Sequence, residues 1–176
     1  MFDVGERVVY GNVGVCEVEK VGTIDMAGMP KDRMYYTLNP VFEKGSTVFT
    51  PVDNTKIIIR PVISEEEARE LIDQLTEVDT LWVPNEKKRE EIYKKALRSC
   101  NCKEWAKMIK TLYLRRESRV AEGKKMTAGD KKYCHAAEEY FFGEMAVALG
   151  MDRMEVEEFT EKIIQNKTNS SGMVQA

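Results

Sequence analysis

The chain is poor in the residues on which metal, disulfide and membrane chemistry depend. Its 176 residues include a single histidine, His135, and four cysteines. Four unevenly spaced cysteines are too few for a disulfide-stabilised scaffold. No apolar run approaches the roughly 18 residues of a transmembrane helix, and the N-terminus lacks the charged and apolar regions of a secretory signal. The composition therefore predicts a reduced, cytoplasmic protein without membrane contact.

The cysteines and the histidine do not have the spacing of a metal or catalytic site. Cys100 and Cys102 are closer in sequence than the ligand pairs of structural zinc sites usually are. Cys134 and His135 are adjacent, and neighbours on a helix point about 100° apart. No carboxylate pair is placed for acid–base chemistry. We expect no metal, no cofactor, no small-molecule substrate and no enzymatic activity; a metal- or thiol-dependent enzyme is the disfavoured alternative.

A glycine-containing stretch near the N-terminus, "VVYGNVGVCEV", has two possible interpretations. A phosphate-binding loop requires Gly-Lys-Ser/Thr or a third glycine with a helix directly after it. Here the residues after Gly14 alternate between apolar and polar, which is the pattern of a strand. The segment from Gly11 to Gly14 is therefore predicted to be a turn between two strands.

The first 60 residues have the pattern of a small β structure. Five strand-like runs are separated by turn signals; they cover residues 7–10, 15–24, 34–38, 47–50 and 56–59. Short strands at this spacing favour a small antiparallel β-barrel. Such a barrel can leave an edge strand open for pairing with another chain.

The pattern becomes helical after Pro61. Ser64 and Glu67 form a predicted capping box, and Asn85 and Thr127 are predicted N-caps of later helices. The predicted helices cover residues 65–75, 86–98, 103–121, 128–149 and 153 onward. The sequence thus predicts a β + α protein with a barrel at 1–61, an all-α helical bundle at 62–165 and a disordered tail at 166–176.

Positive charge is concentrated in the helical part. Residues 85–132 carry 16 lysines and arginines against seven acidic residues, whereas the other 128 residues carry 11 against 23. A basic block in an acidic chain is typical of a protein that binds a polyanion. Solvated helix faces are the alternative.

The two tryptophans have different surroundings in the sequence. Trp105 shares a helical apolar stripe with Met108 and Leu112, so we expect it in the core. Trp82 lies in the connector before the basic helix. It either packs beneath that connector or is exposed as an apolar wedge, the device with which minor-groove binders separate base steps.

Four segments, in order, resemble the CarD/CdnL family of bacterial transcription regulators. They are "FDVGERVVYGNVGVCEVEKVGTI", "TVFTPVDN", "ALRSCNCKEWAKMIKTLYLRR" and "MTAGDKKY", and the resemblance spans roughly residues 1–150. It implies a Tudor-like N-terminal barrel that binds the β subunit of RNA polymerase. It also implies a helical domain that binds promoter DNA at the upstream edge of the transcription bubble, where a tryptophan wedge favours the open complex.

The resemblance also implies the residues of each interface. The DNA-binding set is Trp82, Lys87, Lys88, Arg89, Lys131 and Lys132, and the polymerase-binding strand contains Thr47, Val48, Phe49 and Thr50. The position aligned with the family's wedge holds Glu86, and Trp82 precedes it by four residues. Two arginines that some members use against polymerase correspond to Gly22 and Phe49. A module that binds only a protein partner, without DNA contact, is the alternative function.

Overall fold

The computed structural model has a five-stranded antiparallel sheet followed by five helices. It describes residues 1–11 and 13–172, without the side chains of residues 164, 165 and 167–172. The chain divides after Val62 into two compact units, and the predicted boundary falls one residue earlier.

The sheet of the first unit has the strand order β4-β3-β2-β1-β5. The strands are β1 (Arg7–Tyr10), β2 (Gly14–Gly22), β3 (Tyr35–Pro40), β4 (Val48–Pro51) and β5 (Ile59–Pro61). Alternate residues of the three central strands form the core, because successive side chains of a strand point to opposite faces. The core includes Val8, Cys16, Val18 and Leu38, each fully buried.

The predicted turn between β1 and β2 is confirmed. Tyr10 pairs with Gly14 in antiparallel register, and Gly14 has φ +89°, a conformation in which glycine has no steric penalty. Asn12 of this turn lies outside the described residues. Since a strand and not a helix follows Gly14, the phosphate-loop interpretation does not apply.

The last strand lies further along the chain than predicted. The run at 56–59 is rich in isoleucine, yet β5 begins at Ile59. The Asn54 side chain accepts from the Lys56 amide at 2.9 Å and donates to Thr50 at 3.1 Å. These bonds hold the residues after Asn54 in a turn, because asparagine side chains compete with strand pairing for backbone groups.

The second unit contains five helices. They are α1 (Glu65–Asp73), α2 (Glu86–Arg98), α3 (Cys102–Ala121), α4 (Ala128–Leu149) and α5 (Arg153–Gly172). The predicted caps at Ser64, Asn85 and Thr127 are confirmed. Helix α5 continues past residue 166, where the sequence predicts a tail. Neither proline nor glycine interrupts it before Gly172, and residues 173–176 lie outside the described residues.

A core between α2, α3 and α4 holds the helical unit together. It includes Tyr93 and Ala96 of α2, Met108 and Leu112 of α3, and Ala137 of α4. The three helices therefore have fixed positions relative to one another, and the first turn of α2 lies beside the first turn of α4.

Candidate nucleic-acid interface

The connector between α1 and α2 is attached to α3 on both sides of its middle. The Leu81 amide donates to Thr111 Oγ1 at 2.8 Å, and the Leu81 side chain packs on the core of the helical unit. Further back along the connector, the Lys110 ammonium donates to two backbone carbonyls. The backbone at residue 82 is thus held by the packing of its immediate neighbour.

Trp82 follows the anchored Leu81 and points into solvent. Its side chain is 80% exposed, whereas Trp105 is 1% exposed. The Trp105 indole donates to the Leu97 carbonyl at 3.3 Å and lies against the ring of Tyr140. The predicted core position of Trp105 is confirmed, and of the two alternatives for Trp82 the structure has the exposed one.

The first turn of α2 presents two lysines to solvent. Asn85 Oδ1 accepts from the Lys88 amide at 3.1 Å, which starts the helix immediately before Lys87 and Lys88. Both side chains are exposed, and Lys88 Nζ lies 3.0 Å from Glu91. An exposed ion pair of this kind is weak and screened by salt. Both ammonium groups are therefore available to a phosphate.

Arg89 is placed differently from the two lysines. Its side chain is 18% exposed. The guanidinium donates to the Glu86 carboxylate, at 2.8 Å from Nη2, and to the Tyr93 hydroxyl at 2.9 Å. It also lies 5.9 Å from the centre of the Tyr93 ring. Arg89 thus helps to hold the helical unit together and is only partly available at its surface.

A second arginine meets the same carboxylate from α3. Arg115 donates to the two Glu86 oxygens at 2.9 and 3.0 Å, and its Nε donates to Asp130 at 2.9 Å. Hydrogen bonds from Arg89, and next from Arg115, hold the pKa of Glu86 below its ordinary value. We call the two guanidinium groups of Arg89 and Arg115, which converge on the Glu86 carboxylate, the arginine fork.

The start of α4 supplies the other predicted cations. Thr127 Oγ1 accepts from the Asp130 amide at 3.0 Å, while the Asp130 carboxylate is engaged by Arg115 and does not complete a capping box. Lys131 and Lys132 follow and are exposed. Lys132 Nζ lies 5.9 Å from the centre of the Tyr133 ring.

One open cleft of about 410 Å³ brings the two predicted basic segments together. Arg89 of α2, Arg115 of α3 and Lys132 of α4 all line it. Lys87 lines a separate groove on the outer face of α2, together with Lys94, Lys95 and Arg98. The predicted cations therefore flank α2 on two sides.

The predicted polymerase-binding strand lies at an edge of the sheet. Strand β4 pairs with β3, and no other strand neighbours it among the described residues. Thr50 is 2% exposed and Val48 packs against the core, whereas Thr47 is exposed and Phe49 is half-buried. Side chains thus alternate between the core and the opposite face.

The register fixes which backbone groups of β4 are directed outward. The Val52 amide donates to the Met34 carbonyl at 3.0 Å, and the pairing of Thr50 with Tyr36 continues the same register. In an antiparallel ladder, hydrogen-bonded and non-hydrogen-bonded pairs alternate. Val48 and Thr50 therefore direct their amides toward β3, and Phe49 directs its N–H and C=O toward the open edge.

Sequence reasoning missed the residues that hold the basic surface together. Tyr93, Arg115 and Asp130 were assigned no role in the interface, although they position Arg89 and the start of α4. These residues lie on three helices and are far apart in sequence. The Thr127–Asp130 pair indicated only the start of α4, because the helix dipole favours an acidic residue in any first turn.

The cysteines form a turn and part of the core. Cys100 has φ +50°, a left-handed conformation between α2 and α3, and Asn101 caps α3 by accepting from the Lys103 amide. Within the described residues, no group of three or more His, Cys, Asp or Glu side chains is arranged to hold a metal ion. In the same part of the chain, no helix combines the length and apolarity needed to cross a membrane.

The chain thus combines a β unit that has an open strand edge with a helical unit whose cleft is lined by three cations. Comparison with protein families gives two matches: the CarD-like/TRCF RID domain over residues 2–63 and the CarD C-terminal domain over residues 70–161. Together they cover most of the chain, which therefore belongs to the CarD family.

Membership confirms the predicted resemblance and the predicted fold class. The RID domain is Tudor-like, which agrees with the five-stranded antiparallel unit. The CarD family consists of non-enzymatic transcription factors, and the RID domain implies interaction with RNA polymerase. The chain is accordingly a transcription-associated regulator that interacts with RNA polymerase.

Proposed function

We propose that this protein joins the RNA polymerase β subunit to promoter DNA at the upstream edge of the transcription bubble and thereby stabilises the open complex. The N-terminal unit binds polymerase, and the helical unit binds DNA. The exposed Trp82 on an anchored connector, five residues before the first exposed lysine of α2, is the observation that carries the proposal.

The polymerase contact uses the open edge of β4. The outward N–H and C=O of Phe49 are free to pair with a strand of the β subunit, as in other complexes formed by strand addition. Thr47 and Phe49 share the face opposite the core and give the pairing its side-chain contacts. Strand pairing also suits a chain in which Gly22 and Phe49 replace the arginines of some family members.

The DNA contact uses cations of the first turns of α2 and α4. Lys87 and Lys88 meet phosphates from α2, and Lys131 and Lys132 meet them from α4. Lysine ammonium groups bind phosphates as point charges with no sequence readout. Arg89 contributes from within the cleft, where the Tyr93 hydroxyl orients its guanidinium.

Trp82 supplies an apolar side chain that can insert at a base step, which the cations cannot do. An indole in solvent loses apolar hydration when it enters a DNA groove, and an apolar side chain inserted at a base step stabilises an unstacked step. Its anchored neighbour Leu81 lowers the conformational freedom lost on insertion. The cations thus hold the backbone, and Trp82 acts at the bubble edge.

The salt dependence of duplex binding tests the DNA part. About five phosphate contacts give a slope of log K against log salt of roughly −4 to −5. Replacing both Lys87 and Lys88 with alanine removes two contacts and flattens the slope by about 2 units. Fluorescence anisotropy of a labelled duplex across a salt series measures both slopes.

A matched pair of lysines outside the interface serves as the control. Lys103 is exposed at the start of α3, about 18 Å along the helix from Arg115, and Lys162 is exposed on α5. Their double alanine variant keeps the wild-type slope under this proposal. An equal flattening of the slope of log K against log salt in both double variants would show a diffuse charge effect. If the protein binds no duplex even at low salt, the alternative of a module that binds only a protein partner is favoured.

A further inference from the structure

The arginine fork has the chemistry of an anion site that is already filled. Two guanidinium groups converge on the Glu86 carboxylate, and Arg115 contacts both of its oxygens. The fork opens into the cleft between α2 and α4 that Lys132 also lines. The occupant is thus a side chain of the protein at the edge of the proposed DNA surface.

The two guanidinium groups are held from behind as well as by Glu86. Tyr93 accepts from Arg89 at 2.9 Å, and Asp130 accepts from Arg115 at 2.9 Å. Asp130 is 5% exposed and the two arginines are about 20% exposed. The fork therefore keeps its geometry when its occupant changes.

Among the described residues, the Glu86 carboxylate, in contrast, has hydrogen bonds to the two arginines and to no other group. Its side chain is 65% exposed, and it is the first residue of α2. A rotation of this side chain moves the carboxylate into solvent without unwinding the helix. The occupant is therefore the replaceable part of the arrangement.

We propose that the arginine fork is a phosphate site, which Glu86 fills in the free protein and a phosphodiester of bound nucleic acid takes over. A phosphodiester has the same single negative charge as the carboxylate and accepts the same paired hydrogen bonds from arginine. Glu86 thus masks two cations until a backbone phosphate competes for them. The inference rests on the proposed DNA contact and adds Arg115 and Glu86 to it.

Glu86→Gln tests the exchange. The neutral amide keeps the shape of the side chain but no longer competes with phosphate for the two arginines. Duplex affinity at moderate salt should therefore rise about tenfold, as expected for one added charge-assisted contact. The slope of log K against log salt becomes steeper by about 1 unit. Fluorescence anisotropy measures both, and a thermal melt confirms that the variant is folded.

Glu90→Gln is the matched control. Glu90 lies one turn further along α2 and lines the same cleft, but it is bound to Lys94 and Tyr133 and not to the fork. We expect a clearly smaller gain in duplex affinity from Glu90→Gln than from Glu86→Gln. An equal gain in the two variants would show that net charge alone is responsible, and the fork would have no special role.

The geometry of the fork is tested in the Glu86→Gln background. Arg115→Lys keeps the charge but loses the paired donors, so the double variant should lose most of the gain. If the gain persists, Arg115 takes no part in the site. If Glu86→Gln weakens DNA binding in a folded protein, Glu86 is a structural clamp and the proposal is wrong.

Inorganic phosphate separates this inference from the proposed function. In the Glu86→Gln protein, phosphate should shift the NMR signals of the Arg89 and Arg115 Nε–H groups saturably, whereas an equal ionic strength of chloride should not. If the wild-type protein binds no duplex but the variant shows these shifts, the proposed DNA function is wrong. The phosphate site itself is then still supported. Absent or non-saturable shifts overturn the site itself.

Discussion

At the residue scale, the two tryptophans differ in the surface that each removes from water. Trp105 is fully buried against Tyr140, and Trp82 is almost fully exposed. Trp105→Ala should lower the free energy of unfolding by about 3–5 kcal/mol, as large core deletions do. Trp82→Ala should change it by less than about 0.5 kcal/mol. Urea unfolding of the two variants measures both values.

The outcome for Trp82 also decides its part in the mechanism. Comparable destabilisation by the two variants would make Trp82 a structural residue and remove the proposed wedge. The sequence predicted the burial of Trp105 because its apolar stripe has helical spacing. It left Trp82 open because a connector has no periodicity, and the Leu81–Thr111 contact that fixes its direction joins residues 30 positions apart.

Glu86 shows a second limit of sequence reasoning at this scale. An acidic residue in the first turn of a helix is ordinary, because the helix dipole favours it there. The two arginines that contact Glu86 give it a further role, and one of them comes from another helix. Alignment with the family marked the position as unusual, but only the packing of α2 against α3 explains what Glu86 does.

The ion pairs of Glu86 predict how the helical unit responds to acid. Because the pKa of Glu86 is lowered in the folded state, its contribution to stability is present above the ordinary value of 4.5 and is lost as the pH falls through the folded pKa. Thermal melts of wild type and Glu86→Gln should therefore differ most above pH 4.5 and converge below it. A difference in melting temperature that stays constant across pH 3–7 would contradict a stabilising role of the ionised Glu86 carboxylate.

At the element scale, the proposed polymerase contact of β4 depends on the direction of its backbone groups. Phe49→Pro removes an N–H that points to the open edge and leaves the pairing with β3 intact, so it should abolish polymerase binding in a folded protein. Phe49→Ala keeps the N–H and should weaken binding less. Capture of purified RNA polymerase by the immobilised protein compares the two variants.

Val48→Pro provides the structural control for β4. The Val48 amide points toward β3, so proline there should disrupt the sheet itself and lower the melting temperature. Equal polymerase capture by Phe49→Pro and wild type would exclude strand pairing through this edge and leave side-chain contacts as the basis of binding.

Most elements could be predicted from local patterns, and the exceptions have local causes. The caps at Ser64, Asn85 and Thr127 depend only on side chains that accept from amides three residues later, so they were predictable. Strand β5 was misplaced because the Asn54 turn outweighs the β propensity of the isoleucines. The cleft was not predictable, since it depends on how α2 and α4 pack.

At the scale of the whole molecule, charge is separated along the chain. The net charge is −3, yet residues 85–132 carry an excess of nine positive charges. The acidic remainder disfavours indiscriminate binding to nucleic acid, because like charges repel it from the phosphate backbone. The proposed function therefore implies that DNA affinity is gained chiefly where polymerase already holds the protein close to a promoter, through a raised effective concentration.

The lifetime of promoter open complexes tests the central claim most directly. Open complexes are formed with RNA polymerase from the same cells, challenged with a competitor and followed with and without the protein. The proposed function predicts a longer lifetime with the wild-type chain. With Trp82→Ala the lifetime should return toward that of polymerase alone, although this variant is still captured by polymerase. A lifetime that the wild-type protein leaves unchanged would contradict the claim.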